Sequence, residues 1–209
     1  MPIADLWVSA NPRAWEDAVE RYWSFVPPRN VALERSLDQL DPDRLRRLDG
    51  HGWYNFLKDE YFRWKYTASN RYATTTRQLR RYVDCDTIGD LDQIRKRLLT
   101  LDPEDTRSAL ETAKLIRGLG TAGASGLLAL MYPQNFGTVD QFVVKALKQV
   151  PDLPEAPALT RMNPEALTID DGVLLIGILR RKAASNNHVF KSYTWTPRKL
   201  DKVLWTYGR

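Results

Sequence analysis

An all-α fold is predicted by three features of this chain. Capping side chains followed by proline recur along it, apolar residues recur at helical spacing, and no sustained alternation or Asn-Gly turn marks strands and hairpins. The cap–proline pairs are Asn11-Pro12, Asp41-Pro42, Asp102-Pro103, Asn163-Pro164 and Thr196-Pro197. In each, the first side chain can accept a bond from an orphan N–H of the first turn, and proline needs no donor there. Glu16, Asp43, Glu104 and Glu165 follow and suit the positive end of a helix dipole.

In chain order, Trp15, Val19, Tyr22 and Trp23 share a face of the first predicted helix. Leu110, Ala113, Leu115 and Ile116 continue the pattern up to a pair of glycines. A second helix is expected from near Ala122, with Ala124, Leu127, Leu128 and Leu130 facing inward. Residues 151–164, VPDLPEAPALTRMNP with its flanking valine, read as an ordered proline-rich connector. A C-terminal pair of helices follows, the last carrying Leu200, Val203, Leu204 and Tyr207 on one face. The expected organisation is one helical unit over 1–209, with a core region at 62–150 and C-terminal helices at 151–209.

The 209 residues, 43% of them apolar, suffice for a buried core. The single cysteine, Cys85, excludes an intramolecular disulfide, a four-thiolate zinc site and an iron–sulfur cluster. His51 and His188 lack partners at ligand or triad spacing, so no metal is expected. The start, MPIADLWVSA, has no basic, apolar leader, and GVLLIGIL at 172–179 is too short to cross a bilayer. A soluble cytoplasmic protein without membrane contact is expected. The net charge is +5. Residues 62–82 hold Arg63, Lys65, Arg71, Arg77, Arg80 and Arg81 with no acid, which predicts a basic face. Arg180, Arg181 and Lys182 read as a solvated helix end, and SNNH at 185–188 as a polar loop.

The segment IRGLGTAGASGLLALMYPQNFGTVDQFV, residues 116–143, carries the chemistry. Gly118 and Gly120 can take backbone angles that other residues resist, and neither obstructs another molecule's approach. Gly123, Ala124 and Gly126 permit a close helix crossing. The result is a helix, a tight turn and a helix whose N-terminus offers unpaired N–H groups to an anion. A DNA phosphate fits there without base preference.

IRGLGTAGASGLL resembles the helix-hairpin-helix motif, apolar-x-Gly-apolar-Gly-x-x-x-Ala-x-x-Leu-Leu. YPQNFGTVDQFVVKAL resembles the segment that follows it in helix-hairpin-helix base-excision glycosylases of the endonuclease III and alkyladenine type, where an aspartate opens a helix. Asp140, twenty residues past Gly120, matches that aspartate. YTASNRYATTTRQLRRY resembles the family's wedge loop and basic helix more weakly, and the good cover runs over 66–147. The resemblance implies a helical bundle of two lobes around a DNA-facing cleft. It implies phosphate contacts from Gly118, Leu119, Gly120, Thr121, Ala122 and Gly123, a wedge at Asn70 or Arg71, and a further contact from Arg77. It implies catalysis at Asp140, a monomer acting on double-stranded DNA, no required cofactor, and room for a monovalent cation at the hairpin. Strand-cleaving members carry a lysine two residues past the second glycine. Ala122 stands there, and Lys114 lies before the turn, so base removal without strand cleavage is implied.

Excising a base builds positive charge on the sugar, which a fixed carboxylate can stabilise while it orients water. Flipping the base costs a few kcal/mol and calls for a pocket. Aromatic residues crowd the region from Trp53 to Tyr72. Most suit a core, and Tyr61, Trp64 and Tyr66 are the pocket candidates. The alternatives are a non-catalytic helix-hairpin-helix DNA-binding protein and a helical partner-binding protein. The last leaves the glycine turn and basic run unexplained.

Overall fold

In the computed structural model, which describes residues 1–209, the chain is helical throughout and contains no strand. The first helices are α1 (Ile3–Val8), α2 (Pro12–Phe25), α3 (Pro28–Asp38) and α4 (Pro42–Arg47). Next, α5 (Gly50–Asn55) runs through a π-helical turn (Phe56–Tyr61) into α6 (Phe62–Lys65). The middle of the chain forms α7 (Ser69–Asp84), α8 (Ile88–Thr100), α9 (Thr106–Lys114), α10 (Thr121–Met131) and α11 (Gln141–Leu147). It ends with α12 (Ala156–Arg161), α13 (Ile169–Phe190) and α14 (Pro197–Gly208). No helix is long and apolar enough to cross a membrane.

Three of the five cap–proline pairs start helices. Asn11, Asp41 and Thr196 accept from Arg13, Asp43 and Lys199 N–H at the heads of α2, α4 and α14. Asp102 and Asn163 make the same local bond, to Glu104 N–H at 2.9 Å and Glu165 N–H at 3.1 Å, but the chain only turns there. The helices start later, where Asp105 caps α9 and Thr168 forms a reciprocal capping box with Asp171 on α13. A proline cap thus marks a turn, and a second cap decides where the helix propagates.

One buried cluster runs from Ile3 to Leu204 and joins every region. At its centre lies α10, TAGASGLLALM, buried along its whole length apart from half-buried Ala122. A helix without charge on any face has to be enclosed. It is enclosed by α9, α13, α14 and the rod from α5 to α6. On the other side, α14 packs against α11 and α2.

Two expectations are corrected by the length of α13. SNNH is no loop but the last turns of that helix, where Asn187 donates to and accepts from the backbone of Trp195. Arg180 and Lys182 lie mid-helix and half-buried. Arg180 donates to Asn135 O at 2.7 Å and Pro103 O at 2.6 Å, and Lys182 to Trp7 O at 2.6 Å. Only Arg181 of the three is exposed. The proline-rich connector is ordered and contains α12.

Candidate functional site

The turn between α9 and α10 separates the roles of its glycines. Gly118 has φ +95°, and a Cβ there would meet the Thr75 carbonyl oxygen of α7 at 2.9 Å. Gly120 departs from the expectation of an unusual backbone. Its φ is −89°, and a Cβ would meet nothing within 4 Å. Gly118 is therefore required by the turn, while Gly120 leaves open space over the head of α10. Gly123 does a third thing, because a Cβ there would lie 2.5 Å from the Tyr66 hydroxyl.

Helix α7 braces this turn. The Tyr82 hydroxyl donates to Leu115 O at 3.0 Å and accepts from Arg117 N–H at 3.3 Å. The Arg117 guanidinium lies over the Tyr82 ring, 4.5 Å from its centre. No side chain caps α10, and the N–H groups of Gly120, Thr121, Ala122 and Gly123 have no partner in the chain. These are the orphan donors that an anion satisfies at a helix start. Asn70, Arg71 and Arg77 are exposed on α7, and Asn70 bonds the Arg71 N–H at 2.8 Å.

Asp140 sits beside a cleft of about 280 Å³. Its Oδ1 caps α11, accepting from Phe142 N–H at 3.0 Å and Val143 N–H at 3.4 Å. Its Oδ2 accepts from Lys65 Nζ at 3.1 Å, and both side chains are largely buried, at 16% and 11% exposed. Lys65 is the one member of the basic run that turns inward. The widened π turn shifts the helical face presented after it. Gly126 makes room for the Tyr61 hydroxyl, 2.9 Å from where a Cβ would stand, and the Lys65 stem lies alongside in ordinary contact at 3.4 Å.

Of the three pocket candidates, Trp64 alone lines the cleft. Tyr61 is a core residue, fully buried, with its hydroxyl donating to Gly123 O. Burial pushes the Tyr61 phenol well above its usual range. Tyr66 packs edge-on against Phe62 and over Gly123, and burial pushes its phenol up to about 12. Both face α10, because small residues there admit large rings.

Other cleft residues are not among the site residues expected from the sequence. Tyr22 and Phe25 arrive from α2, Glu34 from α3, Thr138 from the loop before Asp140, and Arg198, Asp201 and Trp205 from α14. Arg198 is the hub, donating to Asp201 at 2.8 Å, Glu34 at 3.0 Å and Asp38 at 3.2 Å. Glu34 also accepts from the Tyr22 hydroxyl at 2.7 Å and from Trp64 Nε1. Asp201 accepts from Thr138 N–H, and Lys202 pairs with Asp38. Burial raises the Asp201 carboxyl to about 6, although Arg198 attracts its charged form. Arg198, Asp201 and Lys202 lie on the side of α14 opposite Leu200, Val203, Leu204 and Tyr207, which reads in the sequence as an ordinary polar face but is buried in the fold. Charges at such positions require partners from another helix.

No family model, curated protein or solved structure matches this chain. No group of three or more His, Cys, Asp or Glu side chains is arranged to hold a metal ion.

Proposed function

We propose that this protein is a monofunctional DNA glycosylase of the helix-hairpin-helix type, built as two lobes around the cleft beside Asp140. The observation that carries the reading is one placement. The carboxylate twenty residues past Gly120 is held at the head of α11, largely buried, on the wall of an aromatic cleft. Two backbone donors and one ammonium orient it before any ligand arrives, and preorientation is what electrostatic stabilisation of a developing cation requires. The unpaired N–H groups at Gly120–Gly123 hold a backbone phosphate of duplex DNA. Exposed Arg71 and Arg77 extend that contact, and Asn70 or Arg71 fills the gap left by the flipped base. Asp140 then supports departure of the base and orients the attacking water. No cofactor takes part in this scheme, though a monovalent cation can share the hairpin with the phosphate.

The test is base release from duplexes carrying damaged or modified bases, read as strand breaks before and after alkali. Breaks that require alkali identify a monofunctional glycosylase. Breaks without alkali replace that reading with one in which the amine at Asp140, Lys65, attacks the sugar. Bound DNA with no release from any duplex leaves the non-catalytic DNA-binding protein.

A further inference from the structure

We propose that the cleft beside Asp140 selects a neutral base that presents ring carbonyl oxygens, and rejects a positively charged, ring-alkylated base. The proposal rests on the glycosylase reading for the identity of the ligand as a flipped base. Its basis is the distribution of hydrogen-bonding capacity and of charge over the cleft wall.

The acids of the wall are already engaged. Asp140 accepts from two backbone N–H groups and Lys65. Glu34 accepts from Tyr22, Trp64 and Arg198. Asp201 accepts from Arg198 and Thr138 N–H. Donor capacity remains beside them. An ammonium has three N–H donors, and Lys65 meets a single acceptor. Arg198 Nε and the Thr138 hydroxyl are buried in the wall without a partner. The spare N–H groups of the Lys65 ammonium suit acceptors, which on a base are carbonyl oxygens and unprotonated ring nitrogens.

The aromatic rings point the same way. A cationic base gains most from the face of an aromatic ring. Every aromatic ring on this cleft already faces a cation of the chain. Lys202 lies 5.3 Å from the Tyr22 centre, Arg198 5.0 Å from Trp64, and Lys145 5.6 Å from Phe142. Arg209 lies 5.1 Å from both Phe25 and Trp205. A second cation entering among these rings meets Arg209 and Lys145, which have no acid partner as Arg198 and Lys202 do, whereas a neutral heterocycle stacks on the rings without that cost. Deaminated and oxidised bases such as hypoxanthine and 8-oxoguanine belong to the favoured class, and 7-methylguanine belongs to the rejected one.

Two duplexes decide this without depending on catalysis. One carries hypoxanthine and the other 7-methylguanine, each on a 2′-fluoro sugar that resists base loss, with an undamaged duplex as reference. The wild-type protein should bind the hypoxanthine duplex at least about 10-fold more tightly than the 7-methylguanine duplex. Lys65→Met should shrink that ratio to about 3-fold or less by removing donors from the wall. Arg209→Gln, at an exposed position, should shrink it from the other side by uncovering Phe25 and Trp205 for the cationic base, and it serves if Lys65→Met does not fold. Equal binding of the two duplexes, tighter binding of 7-methylguanine, or no gain over undamaged DNA for either base overturns the proposal. Base release from the same bases on ordinary deoxyribose is scored separately. Its absence alongside the predicted preference removes the glycosylase reading and keeps the cleft's selectivity.

Discussion

The hairpin rim and the cleft floor are built by opposite means. The rim is local: Gly118, Gly120 and the head of α10 are neighbours in sequence, and the groups offered to a ligand are backbone N–H. The floor is assembled from α2, α3, α6, α11 and α14, and its groups are side chains held by one another. The rim leaves its donors unpaired around exposed Gly120 and half-buried Ala122. The floor pairs its charges where burial makes any unpaired one costly. A rim of this kind depends on backbone shape, whereas the floor depends on every member of its charge cluster.

The largest expected effect lies in the floor. Arg198→Met strips three carboxylates of their shared cation and should destabilise the protein by about 3–5 kcal/mol in a chemical denaturation curve. A loss below about 1 kcal/mol would show that the cluster is less buried in solution than its geometry requires. At the rim, two glycines should separate. Gly118→Ala forces a side chain onto a positive φ against Thr75 and should cost about 1–3 kcal/mol. Gly120→Ala should cost under about 1 kcal/mol, since its φ is ordinary and the space is open. On the proposed reading, DNA affinity at low salt should nonetheless fall about 10-fold for Gly120→Ala, because the new methyl would stand in the proposed phosphate's path. Equal stability losses for the two variants would contradict the division of roles.

The smallest effect is a pH dependence. Asp201 has a folded pKa of about 6 against an ordinary value of 3.8. The folded state therefore holds this proton more tightly, so the contribution is complete below about pH 4 and is lost as pH rises through about 6. Asp92, near the surface, behaves oppositely. Desolvation raises its pKa, but bonds from Lys96 and Arg95 outweigh that and lower it, so its contribution is lost on acidification. Asp201→Asn should flatten the stability decline between about pH 4 and 6 by on the order of 1 kcal/mol, measured from denaturation midpoints at each pH. An unchanged slope would place the titration elsewhere.

The same contrast explains what was legible in the sequence. All-α character, the cap at Asp140 and the tight turn at Gly118 are local, and local chemistry is written in neighbouring residues. Gly118 and Gly120 look alike in the chain, yet one bears the turn and the other clears space. Only the packing of α7 against the turn separates them. Lys65 reads as one more positive charge in a basic run until the π turn carries it onto Asp140. Tyr61 and Trp64 are three residues apart, and the choice between core and cleft was made by the small residues of α10, which draw Tyr61 inward. Glu34, Arg198 and Asp201 carry no motif, because what makes them a unit is the meeting of α3 with α14.

The central claim is that Asp140 does chemistry as well as capping α11, and one variant separates the two. Asp140→Asn keeps an oxygen for the Phe142 and Val143 N–H groups but removes the negative charge facing the cleft. The measurement is single-turnover base release and duplex affinity on the same preparation, beside wild type. The account predicts release at least about 100-fold slower, with affinity within about 3-fold of wild type. Release at the wild-type rate would contradict it and leave Asp140 as a helix cap.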